Sequence, residues 1–141
     1  MAEDSSDFVR SMGIATSGLR AQAGRMRVIS ENIANADSTA PTAGGNPYRR
    51  KVPTFTSQLD RVLDAKTVAL GKIKPDQSDF RTKYEPNNPA ADATGNVKYP
   101  NVNSVVEMTD MRDAQRSYEA NLNIISATRR MIQRTLDILK A

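Results

Sequence analysis

The chain has 141 residues, 38% of them hydrophobic, a formal net charge of +4, and no Cys, His or Trp. Without Cys there are no disulfides, no thiolate zinc site and no Cys nucleophile. Without His the usual general base, metal ligand and triad member are gone, so no catalytic, cofactor-binding or metal-binding residue is assigned and an enzyme is not expected.

The elements follow a helix, insert, helix order. Asp4, Ser5 and Ser6 offer N-cap oxygens, and Asp7 is well placed in a first turn. From there Phe8, Met12, Ala15, Leu19, Gln22, Met26, Ile29 and Ile33 recur at alternating spacings of 4 and 3. That period predicts a helix to about Asn35, packed lengthwise on a neighbour as in a coiled coil. Gly13, Gly18 and Gly24 interrupt it, each at a cost of about 1 kcal/mol against Ala. Such a cost suits either a close approach by neighbouring helices or a helix that stays weak until something docks. Asn32 and Asn35 stand where the chain must turn, as helix-ending residues or as contacts to another subunit.

The insert has a different character. All seven prolines and five of the seven aromatics lie between residues 41 and 100. Residues 36–47 are turn chemistry throughout. Residues 48–58 suit a short strand that Pro53 keeps at an edge. Residues 59–73 read either as a short helix or as a strand, the strand favoured from 66 to 74. Phe80 to Tyr84 and Val97 to Tyr99 read as two more strands, giving a small β element too polar to stand alone. Residues 41–104 carry 10 Lys and Arg against 6 acids, densest at Arg49-Arg50-Lys51. A nucleic-acid-binding coiled coil using this basic insert is the alternative reading, although a solvated loop explains the charge more simply.

The second helix is expected to start near Asn103 or Ser104, with Glu107 completing a capping box, and to run to the C-terminus. Its seam is Met108, Met111, Gln115, Tyr118, Leu122, Ile125, Arg129, Ile132, Leu136 and Leu139, with the same 4 and 3 alternation. A second stripe, Ile124, Thr128, Met131, Thr135 and Ile138, calls for more than one partner helix. Antiparallel pairing that aligns the seams sets Ile33 by Met111, Met26 by Tyr118, Gln22 by Leu122, Leu19 by Ile125, Ala15 by Arg129 and Met12 by Ile132. The fold expected is mainly α: a coiled-coil-like bundle of the terminal helices, 1–38 and 103–141, with an irregular β insert, 39–102. The acidic N-terminus lacks the basic start and apolar run of a secretory signal, and no stretch reaches the roughly 20 apolar residues of a membrane span.

Specific segments carry a resemblance. Ser30-Glu31-Asn32-Ile33-Ala34-Asn35-Ala36-Asp37-Ser38-Thr39, then Pro47-Tyr48-Arg49-Arg50-Lys51, with Ser17-Gly18-Leu19 and Arg25-Met26 before them, resemble the N-terminal signature of bacterial flagellar rod and hook proteins. Tyr99-Pro100-Asn101-Val102-Asn103, Val105-Val106-Glu107-Met108, Asp110-Met111, Ala114 and Arg116-Ser117-Tyr118-Glu119-Ala120-Asn121 resemble the proximal-rod branch of that family. The wider family places Pro-Gly-Tyr soon after the Thr, whereas Ala40 to Asn46 intervene here. The resemblance implies an axial subunit of the flagellar basal body, its terminal helices lining an inner tube around the export channel. It implies export through the flagellar type III apparatus without signal cleavage, and a place in the periplasmic rod. The implied partners are the other rod proteins, proximal and distal, and the junction with the membrane ring. The residues expected at subunit interfaces are Leu19, Met26, Ile29, Asn32, Ile33, Asn35, Tyr118, Leu122, Ile125, Ile132 and Leu136. Tyr48, Arg49 and Arg50 are candidates for an outer contact.

Overall fold

The computed structural model describes residues 2–140, with side chains from Ser6 onward. In chain order the elements are α1 (Ala2–Ala34), β1 (Lys51–Val52), β2 (Phe55–Asp60), β3 (Ala65–Leu70), β4 (Lys74–Pro75), β5 (Arg81–Tyr84), β6 (Asn96–Tyr99) and α2 (Ser104–Lys140). Two long helices pack together with a small β region between them, so the mainly α class holds. α1 begins at Ala2, ahead of the expected N-cap cluster, and the side chains of Asp4 and Ser5 lie outside the described residues. Residues 59–73 resolve in favour of the strand.

The chain forms two compact units, each drawing on both helices. The first comprises Met1–Arg25, Thr54–Lys72 and Asp113–Ala141; the second comprises Met26–Pro53 and Ile73–Arg112. This division does not follow the three sequence segments, because the β2–β3 hairpin belongs with the outer lengths of the helices.

In the first unit β2 and β3 form an antiparallel hairpin, with Phe55 opposite Leu70 and Asp60 opposite Ala65. The Asp60 carboxylate shapes its tip by accepting from Val62 N–H at 2.9 Å and Leu63 N–H at 3.2 Å. Asp64 closes the tip in the left-handed region at φ 46°. The hairpin leans on α1 through two glycines about three turns apart. Leu63 presses against Gly13, and Leu70 Cδ2 lies 2.8 Å from where a Gly24 Cβ would stand. Between them Val68 N–H donates to Ser17 Oγ at 3.3 Å. Gly18 instead faces α2, with Asn121 Nδ2 2.8 Å from its missing Cβ. The glycines are therefore close-approach positions, and two of the three receive the hairpin, at its tip and at the end of β3, rather than a helix.

In the second unit β1 pairs with β4 and β5 with β6, both antiparallel. The core is Val28, Ile29, Val97 and Val102 with Ala36, Ala40 and Ala90. Arg81 ties β5 to its surroundings, donating from Nε to Pro100 C=O at 3.1 Å and from Nη2 to Ala36 C=O at 3.0 Å. Gly95, at φ 83°, turns the chain into β6. Asp92 Oδ1 accepts from Thr94 N–H at 2.8 Å and Asn96 N–H at 3.0 Å to hold that turn.

Candidate assembly interface and its polar hub

The most constrained side chain of the second unit is Asn32, which is 0% exposed within α1. Its amide is saturated. Nδ2 donates to Lys51 C=O at 2.8 Å and to Glu107 Oε2 at 3.0 Å, while Oδ1 accepts from Tyr48 O–H at 2.8 Å and Lys51 N–H at 2.9 Å. One side chain thus joins α1, the segment entering β1, and α2. A buried primary amide has this full capacity and is costly if left short of partners. Tyr48 accordingly keeps its proton: burial, then the charges of Glu31 and Glu107, push its pKa up to about 12.

Glu107 is the second pole of the hub, 1% exposed. Its Oε1 accepts from Arg50 Nε at 2.6 Å. Arg50 also meets Asp76 at 3.4 Å and Asp110 at 3.8 Å. Burial alone would lower the guanidinium pKa, and the hydrogen bonds and charges of Glu107 and then Asp76 together offset this, leaving it raised. Asp76 is held below its ordinary value by hydrogen bonds from the Ser78 backbone and side chain, with Arg50 adding to them. Arg50 N–H donates to Asn101 Oδ1 at 2.8 Å, and Asn101 Nδ2 donates to Asp76 C=O at 3.1 Å. The capping box is corrected: Asn103 Oδ1 caps α2 by accepting from Val105 N–H at 3.1 Å and Val106 N–H at 3.4 Å. Glu107 faces inward because Arg50 and Asn32 stabilise its buried charge.

The basic cluster is spent in the same way. Arg49 Nη1 donates to Asp76 C=O at 2.8 Å and Ser78 C=O at 3.0 Å, and its guanidinium lies 4.2 Å from the Phe80 ring centroid. Lys51 Nζ pairs with Glu31. Tyr48, Arg49 and Arg50, each half-buried, therefore all have polar partners within their own unit. The same pairing leaves no uncompensated basic cluster for nucleic acid at this point of the insert.

The helix register also differs from expectation. The aligned seams would set Gly18 against Ser126 and Asn32 against Arg112. The observed partners are Asn121 and Glu107, five residues earlier in each unit (121 against 126, 107 against 112). Small and polar residues are buried on both helices: Ala15, Gly18, Ala21 and Asn32 on α1, with Glu107, Ala114 and Thr128 on α2. The signal was present as a second heptad phase, Gly18-Arg25-Asn32 and Glu107-Ala114-Asn121-Thr128, hidden because apolar residues mark the neighbouring phase.

Of the expected interface residues, Ile29 and Asn32 are buried inside the second unit, where Met26, Ile33 and Asn35 are half-buried. Asn35 Nδ2 donates to Glu31 C=O at 2.8 Å and closes α1. Leu19, Tyr118, Ile125 and Ile132 are half-buried in the first unit, and Leu122 and Leu136 are exposed. The first unit also exposes Val9, Ile14, Phe55, Leu59, Val62, Ile124, Met131, Ile138 and Leu139. Of the 16 large apolar side chains exposed among the described residues, the first unit thus carries 11 and the second five.

Comparisons with known proteins converge. Residues 12–40 match the family model described as flagella basal body rod protein. Residues 93–138 match the one described as flagellar basal body rod FlgEFG protein C-terminal. A protein of Agrobacterium fabrum is 54% identical over 91% of this chain and 92% of its own length. Similar proteins from Bacillus subtilis (38%, over 92% and 97%) and Salmonella typhimurium (41%, over 89% and 92%) share with it the name flagellar basal-body rod protein FlgC.

Proposed function

The chain belongs to the FlgC family of flagellar basal-body rod proteins, and on that premise we propose that its first unit is the assembly half of a proximal-rod subunit. The protein is a structural subunit of the rod, located in the flagellar basal body with the other rod components. The observation that supports the assembly reading is the crowd of large apolar side chains exposed on the first unit. Each one buried against a neighbour contributes roughly 1.5–3 kcal/mol. Contacts of this kind, repeated head to tail, grow a filament rather than closing a ring.

In this proposal the outer stripes of α1 and α2 become coiled-coil-like seams once neighbouring helices cover them, and the tube so formed transmits torque around an export channel. Leu19, Leu122, Ile125, Ile132 and Leu136 make the inter-subunit contacts. The second unit, with Tyr48, Arg49 and Arg50 partnered within it, holds the two helices at a fixed register. Delivery through the flagellar type III apparatus, a periplasmic position and contact with the membrane-ring junction extend the same proposal on the family's behalf.

The test is Leu122→Asp. It adds a charge on an exposed position, so the free protein should fold and express normally while failing to enter basal bodies. Normal swimming by cells carrying only this variant would reject the assembly role of the face.

A further inference from the structure

The rod role leaves the outer edge of β2 without a use. Gly71 N–H donates to Thr54 C=O at 2.7 Å, which sets the phase of the ladder. Thr56 with Ala69 and Gln58 with Thr67 are then the hydrogen-bonded pairs, and the N–H and C=O groups of Phe55, Ser57 and Leu59 point away from β3. The same phase turns Val68 N–H outward on β3, where Ser17 Oγ accepts it. One edge of the hairpin is thus covered by α1. The other is open: residues 55–59 are all exposed, Phe55 at 43% and Leu59 at 63%. From Thr54 to Leu59 there is no charge and no proline, so the devices that normally blunt a strand edge are missing.

We propose that the free chain pairs with a second copy of itself through this edge, β2 against β2 in antiparallel sense, with Ser57 on the two-fold axis. The strand's own symmetry points to a second copy. With Ser57 opposite Ser57, Phe55 lies opposite Leu59 on both sides of the axis. All three outward-facing residues then meet outward-facing residues, each pair exchanging N–H and C=O. The aromatic–aliphatic cross-strand pairs add side-chain packing. A slip of one residue sets outward groups against inward ones, and a slip of two loses a matched pair. Thr56 falls opposite Gln58 and Thr54 opposite Asp60, so no like charges meet. A single strand edge buries less than the roughly 1,200 Å² of a standard interface, which makes the pair weak and concentration-dependent. A two-fold contact closes on itself, so it belongs to the free subunit and competes with incorporation into a rod. It stands on the hairpin alone, independently of the rod reading.

The test uses the full chain, which has no Cys of its own, carrying Ser57→Cys. A hydrogen-bonded antiparallel pair sets Cα atoms about 5.5 Å apart, inside the range of about 4.4–6.8 Å that a disulfide spans. Mild oxidation should give a covalent dimer with Ser57→Cys and leave Thr67→Cys, on the inner strand, monomeric. Sedimentation of the unmodified chain should show a concentration-dependent dimer that Leu59→Lys weakens by at least about tenfold, since the change enters a two-fold pair twice. Equal cross-linking at positions 57 and 67, a chain that stays monomeric at millimolar concentration, or a dimer indifferent to Leu59→Lys would each overturn the pairing.

Discussion

The two units solve opposite problems with the same pair of helices. In the second unit Val28, Ile29, Val97 and Val102 are buried, and every polar atom of Asn32 has a partner. In the first unit the fully buried apolar residues among those described are alanines, Ala15, Ala21 and Ala114, while leucines, isoleucines and a methionine face outward. The second unit buries branched residues of its own and exposes five large apolar side chains, whereas the first, of its apolar residues, buries only alanines fully and exposes 11 large ones. The difference separates residues that hold the subunit together from residues that hold subunits to each other.

Substitutions can break that contrast. Glu107→Ala should do most, because it leaves Arg50 without its buried partner and removes an acceptor from Asn32. Urea unfolding should show a loss of roughly 3–5 kcal/mol. Asn32→Leu keeps the volume but strands the Tyr48 hydroxyl and both main-chain groups of Lys51, and the same measurement should register about 2–3 kcal/mol. In the first unit, Gly18→Leu drives a side chain into Asn121 and should cost about 1–3 kcal/mol in thermal unfolding, despite better helix propensity. Leu122→Asp should move the stability of the free chain by no more than about 0.5 kcal/mol. If it destabilises as much as Glu107→Ala, the first unit is packed internally after all and the contrast fails.

The smallest effect is set by pH. Hydrogen bonds from Lys83, Asn88 and Tyr99 lower the Glu85 pKa from 4.5 to about 2. A carboxylate depressed on folding adds stability that is present above its unfolded value and is lost as pH falls through the folded one. The unfolding midpoint should therefore drop between about pH 4.5 and pH 2, and Glu85→Gln should flatten that segment of the profile. Because Glu85 is solvated and screened, the change should be slight beside the hub variants.

Much of this was legible in the sequence. The heptads gave both helices, and the proline-punctuated middle gave the paired strands β5 and β6 nearly to the residue. The register was not legible, because aligning the apolar seams assumes that the largest side chains sit where the helices meet. Here contacts join Gly18 to Asn121 in one unit and Asn32 to Glu107 in the other, and the larger apolar residues point elsewhere. Glu107 was read as a local cap because its partners, Arg50 and Asn32, are remote in the chain. Gly13 and Gly24 signalled a close approach without saying that Leu63 and Leu70 of a hairpin would supply it. Long-range pairings of this kind leave no periodic trace.

The hub also imposes a timetable on the chain as it is made. Its contacts span 75 residues between Asn32 and Glu107 and 57 between Arg50 and Glu107. At the roughly 5–20 residues per second of synthesis, about 4–15 s pass between making Asn32 and making its carboxylate partner. For the last roughly 3–11 s of that interval Arg50 has no Glu107 to neutralise it, and the nascent hub has little reason to condense. The hub that ties α1 and the segment entering β1 to α2 is therefore one that translation holds open for most of its course.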